Sequence, residues 1–219
     1  MDDLFPKYLR RIVQRLDFLG IPNLGMLVAG LAVLAFLARM GMNAPLERFT
    51  FDPYLVSQGE WWRLFAFPTG LTNPLFLFFY VLYVYYVMGS LESHWGPGPL
   101  TIFVGFSYLM AIAGAFAVGQ PVSIWYHVLE NVSLAFGTLF PDVTFYLFFV
   151  VPVRAKWLAL FAGALLLFQF VVGGFYTKIF LLIVLLPYLI FFGPYLFSWI
   201  KNRRSLSKHK RRFDQDMWR

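Results

Sequence analysis

The chain is a succession of long apolar blocks separated by short polar, proline- or glycine-containing breaks. A helix needs about 20 predominantly apolar residues to cross the hydrocarbon core of a bilayer, and the blocks have about this length. The pattern therefore predicts an all-α polytopic membrane protein with six spans. The predicted spans are residues 24–40, about 74–89, about 99–118, about 124–140, about 157–173 and about 179–199.

Residues 3–19 show a different pattern, in which apolar and basic residues alternate at helical spacing. Leu9 and Leu16 fall on one face of a helix, and Arg11 and Arg15 fall largely on the other. This predicts an amphipathic helix that lies in the interface of an anionic membrane. The alternative is a basic leader that only fixes the orientation of the chain, and both can hold.

Two connections are too apolar for free loops in water. The first loop, residues 41–73, contains GEWWRLFAFPTGLTNP and is predicted to form short helices in the outer interface, where Trp and Tyr prefer to lie. The segment VTFYLFFVVPVRAKW, between the fourth and fifth spans, is interrupted by Pro152 and flanked by charges. It is predicted to be a re-entrant or interfacial hairpin rather than a seventh span.

The composition agrees with a membrane protein. Hydrophobic residues make up 60% of the 219 and charged residues only 13%, whereas about 25% are charged in a typical soluble domain. The length accommodates six spans without an added soluble domain. We expect an interfacial helix at residues 1–22, a membrane domain at residues 23–200 and a basic tail at residues 201–219, with no cleavable signal peptide.

Basic residues are unequally distributed between the two sides of a six-span chain. The side with both termini receives fourteen of the 18 Lys and Arg residues, and the opposite side receives four. Both termini are therefore predicted to be cytoplasmic, and the fourth span to begin at the outer surface. The net charge of +7 is concentrated beside apolar segments, which indicates anionic lipid headgroups as partners rather than nucleic acid.

Metal and redox sites are not predicted. The chain contains no cysteine, which excludes disulfides and thiolate metal sites. His94 falls in an inner loop and His209 in the tail, so neither can join His127 and Glu130 as a third ligand, and we expect no metal and no cofactor. The lack of cysteine and the short loops favour a bacterial inner membrane over the endoplasmic reticulum.

Several motifs, in their order and spacing, resemble those of the rhomboid superfamily. A Trp-Arg pair in the first loop resembles that of rhomboid proteases and derlins, and a Leu-Glu-x-x-x-Gly turn ends the second span. The stretch LFPDVTFYLFFVVPVRAKWLALF is similar to the cytoplasmic link between the fourth and fifth rhomboid helices. The resemblance covers roughly residues 50–195 and implies a six-helix rhomboid-like bundle with a partly inserted first loop. The motif residues are Trp62, Arg63, Leu91, Glu92, Gly96, Phe140, Pro141 and Pro152.

Structural roles are expected for these motif residues. Trp62 is expected to anchor the first loop in the interface, and Arg63 to bind backbone carbonyls of that loop. Glu92 is expected to tie the inner turn between the second and third spans by accepting hydrogen bonds from backbone amides.

The catalytic pattern of active rhomboids is missing. Their Gly-x-Ser-Gly nucleophile motif would fall near Tyr126, but the sequence there is IWYHVLEN, and the nearest serines are Ser123 and Ser133. The sixth span contains no histidine to act as a base, and the second span offers no His or Asn after Asn73 as oxyanion donors. Without a base and oxyanion donors a hydroxyl lacks the main sources of rate, so no catalytic residues are predicted and the chain resembles a rhomboid pseudoprotease.

Three polar residues near the outer end of the fourth span need an explanation. His127, Glu130 and Asn131 share one helical stripe, and ionisable residues within a span almost always face the bundle interior or a wet cavity. We expect a polar network that locks the fourth helix and lines a vestigial cavity. There are three alternatives. The residues could recognise a client segment that enters between the second and fifth helices, they could form a proton relay or carry out unrecognised acid–base chemistry, or they could bind a metal.

The resemblance to derlins and other inactive rhomboids implies a protein that binds transmembrane clients or partners, in membrane-protein quality control, trafficking or regulation. A short, irregular bundle of this kind is expected to thin the local bilayer. The alternative functions are an intramembrane hydrolase built around His127 and Glu130, and a lipid or solute pathway.

Overall fold

The structure, a computed structural model, describes residues 17–42, 50–65, 73–147 and 151–194. In these ranges the chain is almost entirely helical, with one β-hairpin. Short 3₁₀ turns cover Asp17–Leu19 and Trp61–Phe65. The helices are α1 (Leu24–Met42), α2 (Pro53–Ser57), α3 (Pro74–Trp95), α4 (Pro97–Val118), α5 (Ile124–Leu139), α6 (Ala155–Val172) and α7 (Phe175–Pro194), and the strands are β1 (Thr144–Leu147) and β2 (Val151–Arg154).

Five of the described helices, α1, α3, α4, α6 and α7, are long and apolar enough to cross a membrane. The fold class is thus all-α with several apolar helices of spanning length, which indicates an integral membrane protein. Helix α5 has 16 residues, a length of about 24 Å against a hydrocarbon core of about 30 Å. The count of six spans remains a prediction.

Helix ends follow local capping signals. The Asn73 side chain accepts a hydrogen bond from the Leu75 amide at 2.9 Å and Pro74 takes the first helical position, so α3 begins there. Gly96, at φ 91°, ends it. The predicted end near residue 89 is wrong by about a turn and a half, because α3 continues through the polar residues Ser90, Glu92 and Ser93 after its apolar run stops.

Consecutive long helices run in opposite directions. Phe51 and Val122 exchange backbone hydrogen bonds of 3.2 and 2.8 Å, which brings the first loop and the α4–α5 connection to one end of the bundle. At the other end, the His94 ring lies 5.4 Å from the Phe140 ring, so α3 and α5 both finish there. Neighbouring helices therefore alternate in direction, as the spans of a polytopic membrane protein do.

The predicted local structures of the two apolar connections are confirmed. The described part of the first loop contains the short helix α2 and a 3₁₀ turn. The segment after α5 forms an antiparallel hairpin, in which Tyr146 pairs with Pro152 and Thr144 with Arg154. The predicted amphipathic helix at residues 1–22 lies mostly outside the described residues, and the tail at 201–219 lies wholly outside them.

Helix α5 lies at the centre of the bundle, where it contacts α3, α4 and α6 and donates a side-chain hydrogen bond to α7. Small residues allow the closest approaches between helices. A Cβ on Gly137 of α5 would overlap the Cβ of Ala159 on α6, and a Cβ on Gly25 of α1 would lie 2.8 Å from that of Met88 on α3. Glycine at these positions is therefore required by packing rather than by backbone conformation.

Candidate functional site

The first turns of α5 bring His127 and Glu130 together. The two residues are three apart on the helix, so their side chains lie one above the other on the same face. His127 Nδ1 lies 2.8 Å from Glu130 Oε2, with 13% and 11% of the respective side chains exposed. The pair is almost buried, and each charge or dipole in it is compensated by the other.

Aromatic rings enclose the imidazole. The Phe180 ring of α7 lies 4.8 Å from the His127 ring and nearly perpendicular to it, and the Tyr126 ring lies 5.2 Å away at 87°. Edge-to-face packing of this kind orients a ring as well as burying it. His127 thus contacts both its own helix and α7, while Glu130 bonds along α5.

Asn131 makes a separate contact. Its side chain is fully buried, and Nδ2 donates a 2.9 Å hydrogen bond to the backbone carbonyl of Val184 in α7. Within the part of the chain that the structure describes, the Asn131 Oδ1 atom has no hydrogen-bond partner. The expected single network of His127, Glu130 and Asn131 is thus divided into an intrahelical pair and an interhelical bond, because the Asn131 side chain turns toward α7.

Two hydroxyl groups extend the polar side of α5 toward its other end. Ser133 Oγ donates to the Leu129 carbonyl, and the Tyr83 hydroxyl of α3 lies 2.6 Å from it. One helical turn and a half further on, Thr138 Oγ1 lies 2.7 Å from the Tyr188 hydroxyl of α7. The sequence analysis missed both tyrosines, although a tyrosine within an apolar span signals a polar tip that needs a partner.

The Trp-Arg pair consists of one buried and one exposed residue. Arg63 is buried, its Nη1 donates to the Thr50 carbonyl at 2.8 Å, and its Nε donates to Glu60 Oε2 at 2.6 Å. The prediction that Arg63 binds loop carbonyls is confirmed. Trp62 is 61% exposed beside it, a position compatible with an interfacial anchor.

Glu92 binds backbone amides, but at a different place from the one predicted. Its Oε1 accepts from the Asn23 amide at 2.7 Å and its Oε2 from the Leu24 amide at 3.2 Å, so it caps the start of α1 rather than the turn between α3 and α4. Gly96 already ends α3 with a 2.7 Å bond from its own amide to the Glu92 carbonyl, which leaves the carboxylate free to reach α1. Leu91 is fully buried beside it.

The remaining motif residues lie where α5 meets the hairpin. The Phe140 ring packs on Phe136 at 5.1 Å and ends α5. The Pro141 carbonyl accepts a 3.2 Å bond from the Lys156 amide, and Pro152 lies within β2. These residues fix the entry into α6 and stand apart from His127, which lies at the opposite end of α5.

The His127 imidazole and the Ser133 hydroxyl lie too far apart for a proton transfer between them. His127 and Ser133 are six positions apart on one helix, which corresponds to about 9 Å of rise and roughly a third of a turn of rotation. Each side chain also has other hydrogen-bond partners: Glu130 for His127, and the Leu129 carbonyl and the Tyr83 hydroxyl for Ser133. A general base must lie about 2.6–3.2 Å from the proton that it removes, so this arrangement does not activate Ser133.

No other group of the described residues adds ligands to this site. Across residues 17–42, 50–65, 73–147 and 151–194, no three His, Asp or Glu side chains come together as a metal site. Cavities of about 480, 460 and 310 Å³ are lined by residues other than His127, Glu130 and Asn131.

The chain matches no known protein family, no curated protein and no solved structure. The resemblance to rhomboids therefore rests on the motif residues themselves.

Proposed function

We propose that this chain is a non-catalytic, rhomboid-like integral membrane protein that binds transmembrane segments of other membrane proteins along helix α6. By its resemblance to derlins, the bound proteins are clients in quality control or trafficking. We further propose six spans with both termini in the cytoplasm, in a bacterial inner membrane rather than the endoplasmic reticulum. The observation that carries the proposal is the packing of α6.

Helix α6 is the least buried of the apolar helices in the described bundle. Only 11% of its spanning segment is buried, against 22–39% for the other four helices of spanning length. It packs on α5 through the Gly137–Ala159 contact and leaves Phe161 and Phe168, each 64% exposed, on its free face. Lipid tails are as apolar as these side chains, so a client helix can replace lipid there at little cost.

The partners of the polar residues on α5 support a non-catalytic role. Ser133 is held by Tyr83, and His127 by Glu130, in separate contacts. The Glu130 carboxylate bonds to the His127 imidazole rather than facing a space for substrate. The Ser133 hydroxyl bonds to the Tyr83 hydroxyl rather than to a base. Such pairs stabilise a helix interface and offer no activated nucleophile.

Site-specific photo-crosslinking in the membrane tests the client surface. A photoreactive phenylalanine analogue at Phe161 or Phe168 is expected to form discrete adducts with membrane proteins. The same analogue at Leu34, which is 63% exposed on α1, serves as the matched control and is expected to react with lipid only. Equal adduct patterns at all three positions would contradict client binding at α6.

Turnover assays test the absence of catalysis independently. The purified protein is expected not to cleave model transmembrane substrates and not to react with a serine-directed fluorophosphonate. Cleavage that disappears in Ser133→Ala or His127→Ala would instead establish the alternative, a hydrolase built around His127 and Glu130.

A further inference from the structure

A cavity of about 480 Å³ lies between α1 and α3, at the end of the bundle where α1 begins and α3 finishes. Small residues, Gly89, Ser90 and Ser93, form part of its lining, and Tyr85 and Tyr86 stand beside them. The two tyrosines are 59% and 47% exposed, so their rings border an open space rather than the protein core.

The charge of this cavity comes from Glu92. Each carboxylate oxygen of Glu92 accepts one amide hydrogen bond from the start of α1. A carboxylate has about four lone-pair positions, so roughly half of its acceptor capacity remains. None of the described residues that line the cavity is Lys, Arg or His. Among the described lining residues Glu92 is thus the one charged group, and its remaining acceptor positions favour a cationic donor.

Two serine hydroxyls in the lining are also acceptors. The hydroxyl of Ser90 donates to the Tyr86 carbonyl and that of Ser93 to the Gly89 carbonyl, both at 2.8 Å. Because each hydroxyl hydrogen is used, the oxygen lone pairs remain to accept a bond. The faces of Tyr85 and Tyr86 also attract a cation that comes within about 6 Å of the ring centre. An ammonium group that donates hydrogen bonds fits this combination.

An apolar groove continues from the cavity. A second space of about 460 Å³ shares Asn23 and Met26 with the first and follows α1 past Gly30 to Leu34. From position 23 to position 34 a helix rises about 16 Å, which is close to one leaflet of a hydrocarbon core of about 30 Å. A Cβ placed on Gly30 or on Gly89 meets no atom within 4 Å, so both spaces are open at these glycines.

We propose that the cavity and the groove together bind one phospholipid with an ethanolamine headgroup. The ammonium group lies against Glu92 and the serine hydroxyls, and an acyl chain follows the groove along α1. A choline headgroup has no N–H to donate, and a glycerol headgroup has no cation to balance the carboxylate. The proposal does not depend on client binding at α6, because it uses residues of α1 and α3 and requires only a chain embedded in a bilayer.

Native mass spectrometry of the detergent-purified full chain tests the headgroup. The protein is titrated with phosphatidylethanolamine, phosphatidylcholine and phosphatidylglycerol that carry identical acyl chains. We expect ethanolamine lipid to be retained about tenfold more tightly than the other two, the ratio that about 1.4 kcal/mol of binding free energy produces. Equal retention of the three lipids, or preference for the choline or glycerol lipid, would overturn the proposal.

Glycine variants test the location. Gly89→Leu fills the cavity and Gly30→Leu fills the groove, and each is expected to reduce retention of ethanolamine lipid about tenfold. Gly41→Leu, at a position on α1 where a Cβ also meets no atom within 4 Å, is the matched control and retains the parental affinity. Thermal melting checks that each variant is folded. Parental retention in folded Gly89→Leu would overturn the assignment to this cavity, and the headgroup series decides the proposal even if that variant unfolds.

A competition distinguishes the lipid from a soluble amine. Phosphoethanolamine has the same headgroup without acyl chains, and it is expected not to displace the bound lipid at equal concentration. Displacement at equal concentration would assign the site to a soluble ligand and contradict the role of the groove.

Discussion

Asn131 is the polar residue on α5 with the least compensated environment. Its amide nitrogen bonds to Val184, and its amide oxygen is buried with no partner in the described part of the chain. A buried acceptor without a partner costs about 1–3 kcal/mol, which offsets the roughly 1 kcal/mol that the bond to Val184 contributes. The residue therefore specifies how α5 and α7 dock more than it stabilises them.

Two substitutions separate these effects. Asn131→Leu removes both the bond and the unpaired oxygen, and we expect the free energy of unfolding to change by less than about 1 kcal/mol. Asn131→Asp places acceptors against the Val184 carbonyl and is expected to destabilise by about 3 kcal/mol or more. Thermal or denaturant unfolding in detergent measures both. A Leu variant that is less stable than the Asp variant would show that the amide oxygen has a partner.

The pair of His127 and Glu130 gives a second prediction at this scale. Glu130→Gln keeps an oxygen that accepts from His127 Nδ1, so the free energy of unfolding should change by less than about 0.5 kcal/mol. Glu130→Leu leaves the imidazole without its partner and should cost about 1–2 kcal/mol. Melting curves and a client pull-down are measured on both variants. Loss of client binding in Glu130→Gln at parental stability would indicate that the carboxylate charge itself contacts the client.

The sequence predicted one of the two polar contacts of this stripe and missed the other. A spacing of three residues brings His127 to Glu130 on any helix, so this pair follows from local geometry alone. The partner of Asn131 is a backbone carbonyl 53 residues away. Every residue has a backbone carbonyl, so no sequence pattern distinguishes Val184 from its neighbours. The partner depends on how two helices dock.

At the scale of elements, the contact between α5 and α6 depends on Gly137. A Cβ at this position would overlap that of Ala159, and the Ala155 carbonyl lies 3.2 Å away. The helices can separate to admit a methyl group only by losing contacts along the rest of their interface. Since α6 packs mainly on α5, its position should be sensitive to this single site.

Gly137→Ala is accordingly expected to destabilise the bundle by about 1–3 kcal/mol. Ala159→Gly in the same chain removes the opposing methyl group and should restore a large part of that loss. Gly105→Ala on α4, where a Cβ meets no atom within 4 Å, is the control and should be neutral or stabilise by up to about 1 kcal/mol. Additive losses in the double variant would mean that Gly137 and Ala159 do not meet.

Element boundaries were predictable where the chain carries explicit stop signals. Asn73-Pro74 and Gly96 mark the ends of α3, and Gly119, at φ 67°, ends α4. The error at α3 arose because the apolar run was taken as the helix, whereas helical hydrogen bonding continues through polar residues until a glycine or proline interrupts it.

At the scale of the whole molecule, the alternation of helix directions predicts where each connection lies. The Phe51–Val122 pairing brings the first loop and the α4–α5 connection to one end, and the Glu92 bonds bring the starts of α1 and α4 to the other. The six-span prediction assigns fourteen of the 18 Lys and Arg residues to the latter end, and this end should therefore face the cytoplasm.

Single cysteines test this topology without background, because the chain has none of its own. Cysteines at positions 50, 121 and 176 should react with a membrane-impermeant thiol reagent from outside the cell, and a cysteine at position 95 should not. Position 121 lies in the connection before α5, and position 176 lies in the first turn of α7, directly after α6. Protection of position 176 together with labelling of position 121 would mean that α5 and α6 do not make two crossings.

The bonds from Glu92 to the start of α1 also set an order of events during synthesis. Asn23 and Leu24 precede Glu92 by 69 and 68 residues. Asn23 has a φ of 56°, which few residues other than glycine and asparagine adopt readily. At about 5–20 residues per second, the ribosome makes the start of α1 roughly 3–14 s before Glu92. Nascent chains arrested before residue 92 should leave a cysteine at position 24, which is buried in the folded chain, open to thiol reagents, and longer chains should protect it unless Glu92 is replaced by alanine. The start of α1 is thus completed only after α3 has been synthesised.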